Sequence, residues 1–523
     1  MSTGIPSKPD CLQLRPEDNV AIAARTLPRG HQLPQFNGGL TLKEPIRLGH
    51  KVALQEIEKG SPIRKYGQII GFASDTILTG TWVHVHNVKA DNFDRDYAFC
   101  SEVPVTPAPG RERTFMGYVR DDGRVGTRNY VAIISTVNCS ASTSRMIARQ
   151  FPMEELEKYP NIDGLLPLTH KSGCGMSEDG VDHIQLNRVL AGYARHPNIG
   201  AYILVGLGCE VGQASHLVKS QKLVTIDGIK DEKSSATTSQ VPVITIQETG
   251  GIKKTIEAGI DAIRKVLAKT NTIERVPVPV SHLILGTECG GSDGNSGITA
   301  NPAVGVASDR IVSQGGTSIL GETPEIYGAE HLLTRRASKR AVGEKLVERI
   351  HWWEWYTGIF NEEINNNPTP GNKEGGLTTI YEKSLGAIAK GGSTALTAVY
   401  EYAEPVTEKG FVVMDTPGYD PVSLTGIIAG GANVCIFTTG RGSVYGSKPV
   451  PCIKVATNTP LYERMFDDMD INAGSILEGT LVEEVGEEIF EEIIAVASGK
   501  KTKSEESGVG EEEFIPWKIG PTL

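Results

Sequence analysis

No run of about 18 apolar residues occurs in the chain, so no membrane-spanning helix is expected. The first residues show no basic stretch leading into an apolar core, so no secretory leader is expected either. Cysteine is sparse, 8 in 523 residues, which is far from the density of a disulfide scaffold. No CxxC pair is present, and with it goes the usual sign of a zinc ribbon. Positive charge is in deficit too: 52 Lys and Arg stand against 63 Asp and Glu, a net charge of -11. Phosphate backbones call for a basic face, so nucleic acid is excluded as the main partner. A small anionic substrate is not excluded, because a local pocket can be basic inside an acidic protein. A reducing, cytoplasmic setting is expected, where thiols serve as ligands, catalysts or core residues.

What the chain does have is a set of apolar, strand-like runs that end in cysteine. YVAIISTVNC ends at Cys139, GLLPLTHKSGC at Cys174, AYILVGLGC at Cys209 and HLILGTEC at Cys289. In an open parallel sheet, ligands bind beyond the carboxyl ends of the strands. Four thiols delivered to such an edge suggest a site for iron or another thiophilic metal. Cys435 and Cys452 lie inside or at the start of apolar runs and read as core.

A chain of 523 residues needs more than one core. Residues 13–100 carry short apolar runs between Gly, Pro and charged turns and read as a small β-rich module. Residues 101–113, SEVPVTPAPGRER, read as the body of a linker taken to extend to 115. From 116 onward strand, loop and helix alternate, which indicates α/β domains with mostly parallel sheets. The stripe Ile256, Ile260, Ile263 and Val266 marks one helix, and Val482, Val485, Ile489, Ile493 and Val496 mark the last. We expect α/β units over 116–385 and 386–523, and a mobile acidic tail from Lys503 to Phe514.

Several polar loops have the makings of a pocket. ECGGSDGNSGITANPAVG presents Ser292, Asp293, Asn295 and Asn301 as partners for hydroxyl groups, and loops this long inside compact domains are usually functional. NPTPGNKEGGLTTIYEKSLG adds Asn372, Lys373 and Lys383, and TTGRGSVYG adds Arg441, which can clamp a carboxylate with two parallel bonds. In TWVHVHNV the alternation of His84 and His86 places both on one face if the segment is a strand. Such a pair can share a metal or act as acid and base. His170 and His183 flank Cys174 and are candidate bases or ligands. GLGCEVG, with Asp227 further on, partly matches a dinucleotide-binding loop, and so keeps a nicotinamide-dependent dehydrogenase as an alternative.

Longer motifs carry a resemblance. DNVAIA, GHKVAL, KYGQIIG, DGRVGTRN, GLGCE, ECGGSDGNSGITANPAVG, NPTPGNKEGG, FTTGRGSVYG and DINAG make the chain similar to the altronate and galactarate dehydratase family of sugar-acid hydro-lyases, from about Asp18 to the C-terminus. The resemblance implies a small N-terminal β-clip (SAF-like) domain followed by Rossmann-like α/β domains. It also implies iron (Fe2+ or an iron-sulfur cluster) or another divalent metal, a sugar-acid substrate and a homo-oligomer. HVHNV, DHIQLNRVLAGYARHPN and PEIYGAEHLL resemble the altronate branch, whereas the first dozen residues fit neither branch. The expected reaction is dehydration of D-altronate, or alternatively galactarate or another sugar acid, to the 2-keto-3-deoxy acid. The expected roles are Cys139, Cys174, Cys209 and Cys289, or alternatively His84 and His86, on the metal. Arg441 and Lys373 would hold the carboxylate, Ser292, Asp293, Asn295, Asn301 and Asn372 the hydroxyls, and His86 or His170 would be acid or base. A ligand sensor without catalysis is the non-enzymatic alternative.

Overall fold

The computed structural model describes residues 9–36, 38–93, 95–223 and 242–520. The N-terminal segment forms small antiparallel sheets. One is ordered Cys11–Leu12, Val20–Ala23, Lys51–Ala53, Trp82–Val83, and another Pro62–Lys65, Gln68–Ala73, Val88–Lys89. Its strands are two to six residues long, as the frequent Gly and Pro turns of this stretch require.

Strand Thr114–Val119 then pairs with Arg275–Pro279 on one side and Val125–Gly126 on the other. Between these two partners lies a parallel sheet ordered Gly164–Leu168, Tyr130–Ser135, Ile199–Gly206, Val243–Thr245. The expected helix after Ile252 is present over Ile252–Thr270. The strand expected around KLVTI, together with Asp227, lies outside the described residues.

The largest sheet has seven parallel strands in the order Leu396–Tyr400, Gly410–Met414, Thr317–Leu320, Ile284–Cys289, Val434–Thr439, Cys452–Ala456, Ile471–Asn472. Strands from both sides of residue 385 share this one sheet. Its central strands are buried along nearly their whole length, which is why they read as continuous apolar runs rather than alternating ones. Cys435 and Cys452 are core residues within it. The chain builds outward from strand Ile284–Cys289 in one direction and then returns to build in the other. The switch point therefore lies between that strand and Val434–Thr439, where open α/β sheets bind ligands.

Helix Val181–Ala194 packs on helix Asp420–Ala429, with Gly192 against the backbone of Ala429. His196 bonds Ala432 O at 2.8 Å and Asn198 bonds Pro449 O at 2.9 Å. These contacts join the two parallel sheets near the C-terminal ends of both helices. In a parallel sheet the crossover helices run against the strands, so the carboxyl edges of the two sheets open on the same side of the molecule. The tail is held rather than mobile: Lys503–Glu506 is helical, and Glu505 pairs with the buried Arg128 at 2.7 and 2.8 Å.

The N-terminal module is clamped to the seven-stranded unit by a buried ion triad. Lys51 Nζ lies 2.9 and 2.7 Å from the two carboxylate oxygens of Glu382, and Lys65 Nζ lies 2.9 Å from one of them. Lys51 also donates to Gly376 O at 2.6 Å and Lys65 to Gly294 O at 3.3 Å. Backbones meet closely here: a side chain at Gly294 or Gly376 would collide with the carbonyl of Gly49.

Burial alone would raise the Glu382 carboxyl, but Lys51 and Lys65 hold it well below the usual carboxylate range. A depressed folded-state value contributes stability that is full above the unfolded value, about 4.3, and is lost as pH falls below it. Glu382→Gln leaves two buried ammonium groups without their counter-ion and is expected to cost about 3–5 kcal/mol. Thermal melts between about pH 3 and 7 should show a lower melting temperature for the variant at neutral pH and a weaker loss on acidification. Equal acid sensitivity in both proteins would contradict this.

Candidate active site

At the switch point the backbones of two loops are stitched together. Gly290 N donates to Thr438 O at 3.1 Å, while Gly440 N and Arg441 N donate to Gly291 O at 3.1 and 2.8 Å. This brings the 290–301 loop and Arg441 side by side, as their compositions suggested. Asp293 is buried and accepts from Thr457 Oγ1, Asn458 Nδ2, Ser296 Oγ, and the side-chain and backbone N–H groups of Asn295. Asn301 donates to Gly386 O and accepts from Thr438 Oγ1. Asn372 donates to Ser292 O and accepts from Thr369 N. Three of the five side chains expected on substrate hydroxyls are thus engaged in holding loops. Ser292 Oγ and Asn295 Oδ1 differ, being buried without a hydrogen-bond partner. Arg441 is about half exposed and meets Glu374 at 3.2 Å, and Lys373, in the short helix Pro370–Glu374, is half-buried.

The N-terminal module brings His50 to the helix Pro370–Glu374. His50 accepts from Trp82 Nε1 through Nδ1, so its Nε2 carries the proton and donates to Glu374 O at 3.1 Å. His84 and His86 do not lie on a strand: the strand ends at Val83, and Asn87 Oδ1 accepts from His84 N to close a turn. The turn nevertheless gathers both rings against Trp82, with centroids 4.8 and 5.1 Å away. Burial, then the nearby Lys51, push the buried His84 down to about 3, so it is neutral at physiological pH. His84 Nδ1 has no hydrogen-bond partner, and His86 is exposed.

Three of the four strand-end cysteines come to the carboxyl edge of the four-stranded sheet. Their loops are tied in a ring: Asn138 N donates to Ser172 O, Gly212 N to Gly173 O, and Thr136 Oγ1 to Glu210 Oε1. Each tie is one sequence position, or a few, from Cys139, Cys174 or Cys209, and all three are exposed. His170, expected as acid or base, is buried in this ring. It spends Nε2 on Ser135 O and Nδ1 on Ser172 N, and burial pushes it down to about 4, which makes it a support for the loop. His183 is likewise engaged, by Glu178 O and Asn187. The GLGCEVG loop does not offer its N–H groups to a phosphate: Glu210 folds back and accepts from Leu207 N and Gly208 N at 3.2 and 2.5 Å. An anion already occupies the donors a pyrophosphate would need.

Cys289 belongs elsewhere, which corrects the expectation of four thiols around one ion. It is buried at the edge of the seven-stranded sheet, its Sγ 3.7 Å from Glu322 Oε1 and 3.5 Å from Glu325 Oε2. Among the described residues, the Cys, His, Asp and Glu groups compact enough to hold one ion are Cys289, Glu322, Glu325 and Glu288, Glu322, Asp420. Lys390 pairs with Glu322 and Lys383 with Glu325, each at 2.5 Å. Burial, then Glu322, push Glu288 well above the carboxylate range, and burial, then Glu322 and Glu325, push Asp420 up to about 7. Burial, then Glu322, also push up the Cys289 thiol, so it stays protonated. Sequence reasoning found Cys289 and Lys383 but missed Glu288, Glu322, Glu325, Asp420 and Lys390. One signal was available, an acid following directly on an apolar strand, as in TSILGE. Glu322 has a φ of 60°, a conformation that non-glycine residues take chiefly where the surroundings enforce it.

Three family models match the chain. The SAF domain of altronate/galactarate dehydratases covers residues 9–91, the second domain of D-galactarate dehydratase/altronate hydrolase covers 117–271, and the C-terminal domain of D-galactarate/altronate dehydratases covers 280–522. The chain is 35% identical to the altronate dehydratase of Bacillus subtilis (strain 168), over 98% of this chain and 99% of that protein. It is 36% identical to the altronate dehydratase of Escherichia coli (strain K12), over 97% and 98%. With the galactarate dehydratase (L-threo-forming) of the same E. coli strain it shares 37%, over 94% and 93%.

The burial pattern sets an order of thiol reactivity. In metal-free native protein, iodoacetamide should alkylate Cys139, Cys174 and Cys209, and should reach Cys289, Cys435 and Cys452 only after unfolding, as read by peptide mass spectrometry. Native labelling of Cys289 at the rate of Cys174 would contradict the assignment.

Proposed function

The chain belongs to the altronate/galactarate dehydratase family of sugar-acid hydro-lyases, and from that premise we propose that its substrate is D-altronate and its product 2-dehydro-3-deoxy-D-gluconate. The observation that carries this reading is the pair of buried, unpartnered atoms Ser292 Oγ and Asn295 Oδ1 beside Arg441 at the switch point. A buried polar atom without a partner costs free energy that a substrate hydroxyl would recover.

The chemistry is a β-elimination. A base removes the proton from C2, its electrons form the C2–C3 double bond, and the C3 hydroxyl leaves as water after accepting a proton. The resulting enol shifts its hydroxyl proton away while C3 gains one from solvent, which gives the keto acid. Charge builds on the substrate carboxylate as C2 loses its proton, and we assign Arg441 and Lys373 to meet it. Ser292 and Asn295 hold hydroxyls, while Asp293, Asn301 and Asn372 fix the loops that present them. His86, exposed beside Trp82, is our choice for the proton carrier. The neutral His84 would steady it.

Three exposed thiols on three tied loops are donors of the type that suits iron, which is soft enough for thiolate and can leave a coordination position open, but they stand wider apart than the compact groups and would have to draw together to share an ion. Cys139, Cys174 and Cys209 would hold it, and it would act as a Lewis acid toward a substrate oxygen. Such thiols need a reducing compartment, consistent with a cytoplasmic protein.

Anaerobically purified protein should convert D-altronate to a 2-keto-3-deoxy acid without added nicotinamide, and should turn over galactarate at least 10-fold less efficiently. Cys174→Ser should lower bound iron and activity together, while Cys289→Ser leaves the iron content unchanged. Reduction of a nicotinamide in step with substrate loss would instead favour a dehydrogenase. Faster turnover of galactarate would move the substrate within the family.

A further inference from the structure

His50 is a buried residue of the N-terminal module with both ring nitrogens engaged. Nδ1 accepts from Trp82 Nε1 at 3.1 Å, and Nε2 donates to Glu374 O at 3.1 Å. An imidazole that accepts at one nitrogen and donates at the other is held in one tautomer and one orientation. Burial, then the neighbouring Lys51, push His50 down to about 4, so the neutral ring offers this one donor at physiological pH. Trp82 is anchored in turn, its backbone N donating to Glu44 Oε1 at 2.7 Å. Indole, imidazole and carbonyl thus form a chain that starts inside the module and ends on Glu374.

Glu374 is the residue that faces Arg441. Its Oε2 lies 3.2 Å from Arg441 Nη2. The next residue, Gly375, is pressed against the same arginine: a side chain there would meet Arg441 Cδ at 3.1 Å and Asp293 Cβ at 2.9 Å. Gly375 O also accepts from Gly294 N at 2.8 Å. The stem of Arg441 is therefore bounded by the backbone that His50 grips, and its guanidinium by the side chain of the gripped residue.

We propose that His50 is a positioning residue for Arg441: by fixing the Glu374 carbonyl, it sets where the guanidinium stands to meet the substrate carboxylate. The proposal rests on the assignment of Arg441 to that carboxylate. It gives the N-terminal module a part in substrate recognition without His50 touching the substrate. The Glu374 and Arg441 side chains are exposed, at 71% and 47%, and such a pair is weak. A substrate carboxylate can therefore take the guanidinium from Glu374, while the backbone that His50 holds stays in place. Placement matters because a guanidinium clamps a carboxylate through two parallel bonds, which a small displacement breaks. The role is separate from the clamp. Lys51 and Lys65 hold the module to Glu382, whereas His50 adds the bond to the residue that faces Arg441.

The test is a double-mutant cycle on the full chain, with kcat/KM measured on whichever of D-altronate and galactarate the wild type turns over faster. His50→Asn puts an amide oxygen where Nδ1 stood, so it still accepts from Trp82 but falls short of Glu374 O. It should lower kcat/KM at least about 10-fold. His50→Gln, whose amide N–H takes the place of Nε2–H, should stay within about 3-fold of wild type. Arg441→Ala should itself lower kcat/KM at least about 10-fold, and His50→Asn added to it should cost less than about 3-fold more, because the two act as one unit. A merely structural defect would add in full to Arg441→Ala. That result, or equal losses in His50→Asn and His50→Gln, would overturn the positioning role alone. An unchanged kcat/KM in Arg441→Ala would overturn the carboxylate assignment and the positioning role with it.

Discussion

Glu382, fully buried between Lys51 and Lys65, is the interaction on which the site depends. Two lysines from the N-terminal module cannot be buried without a counter-charge, and Glu382 of the 372–387 segment supplies it. Once Glu382 is fixed, Gly376 and Gly294 are drawn against Gly49, and His50 against Glu374 O. The same segment carries Asn372 to the Ser292 carbonyl, and Asn367, five positions before it, donates to Glu325. A charge requirement at one seam thus sets the position of the polar loop, of Arg441 beside it, and of one rim of the buried carboxylate cluster.

The remaining architecture follows from parallel sheets. Strands buried on both faces deliver their successors' loops to one edge, and the two sheets are joined so that both edges open on the same side. One edge presents exposed thiols, the other a buried set of carboxylates, and the module adds imidazoles stacked on Trp82. These are different chemical environments. Their division explains why Cys289, although it closes an apolar run of the sequence as the other three cysteines do, does not lie with them.

Much of the fold was legible because buried parallel strands are written as uninterrupted apolar runs and the long helices as apolar stripes. The polar loops around Ser292 and Arg441 were legible as neighbours for the same reason, since each follows such a run. What failed were inferences that needed partners far away in sequence. Asp293 looked like a ligand for hydroxyls, but Thr457 and Asn458, more than 160 positions on, consume it. His84 and His86 looked like alternate strand residues, but the side chain of Asn87 turns the chain there. Glu288, Glu322 and Asp420 carry no local mark of their association, because only the strand order brings them together.

The central claim is elimination of water by loss of the C2 proton, in a crevice that the N-terminal module closes. Product formed from D-altronate in D2O tests it most directly by nuclear magnetic resonance. The account predicts one solvent deuterium at C3 of the 2-keto-3-deoxy acid, placed stereospecifically. Retention of the substrate's C2 hydrogen at C3, with no solvent label, would contradict it.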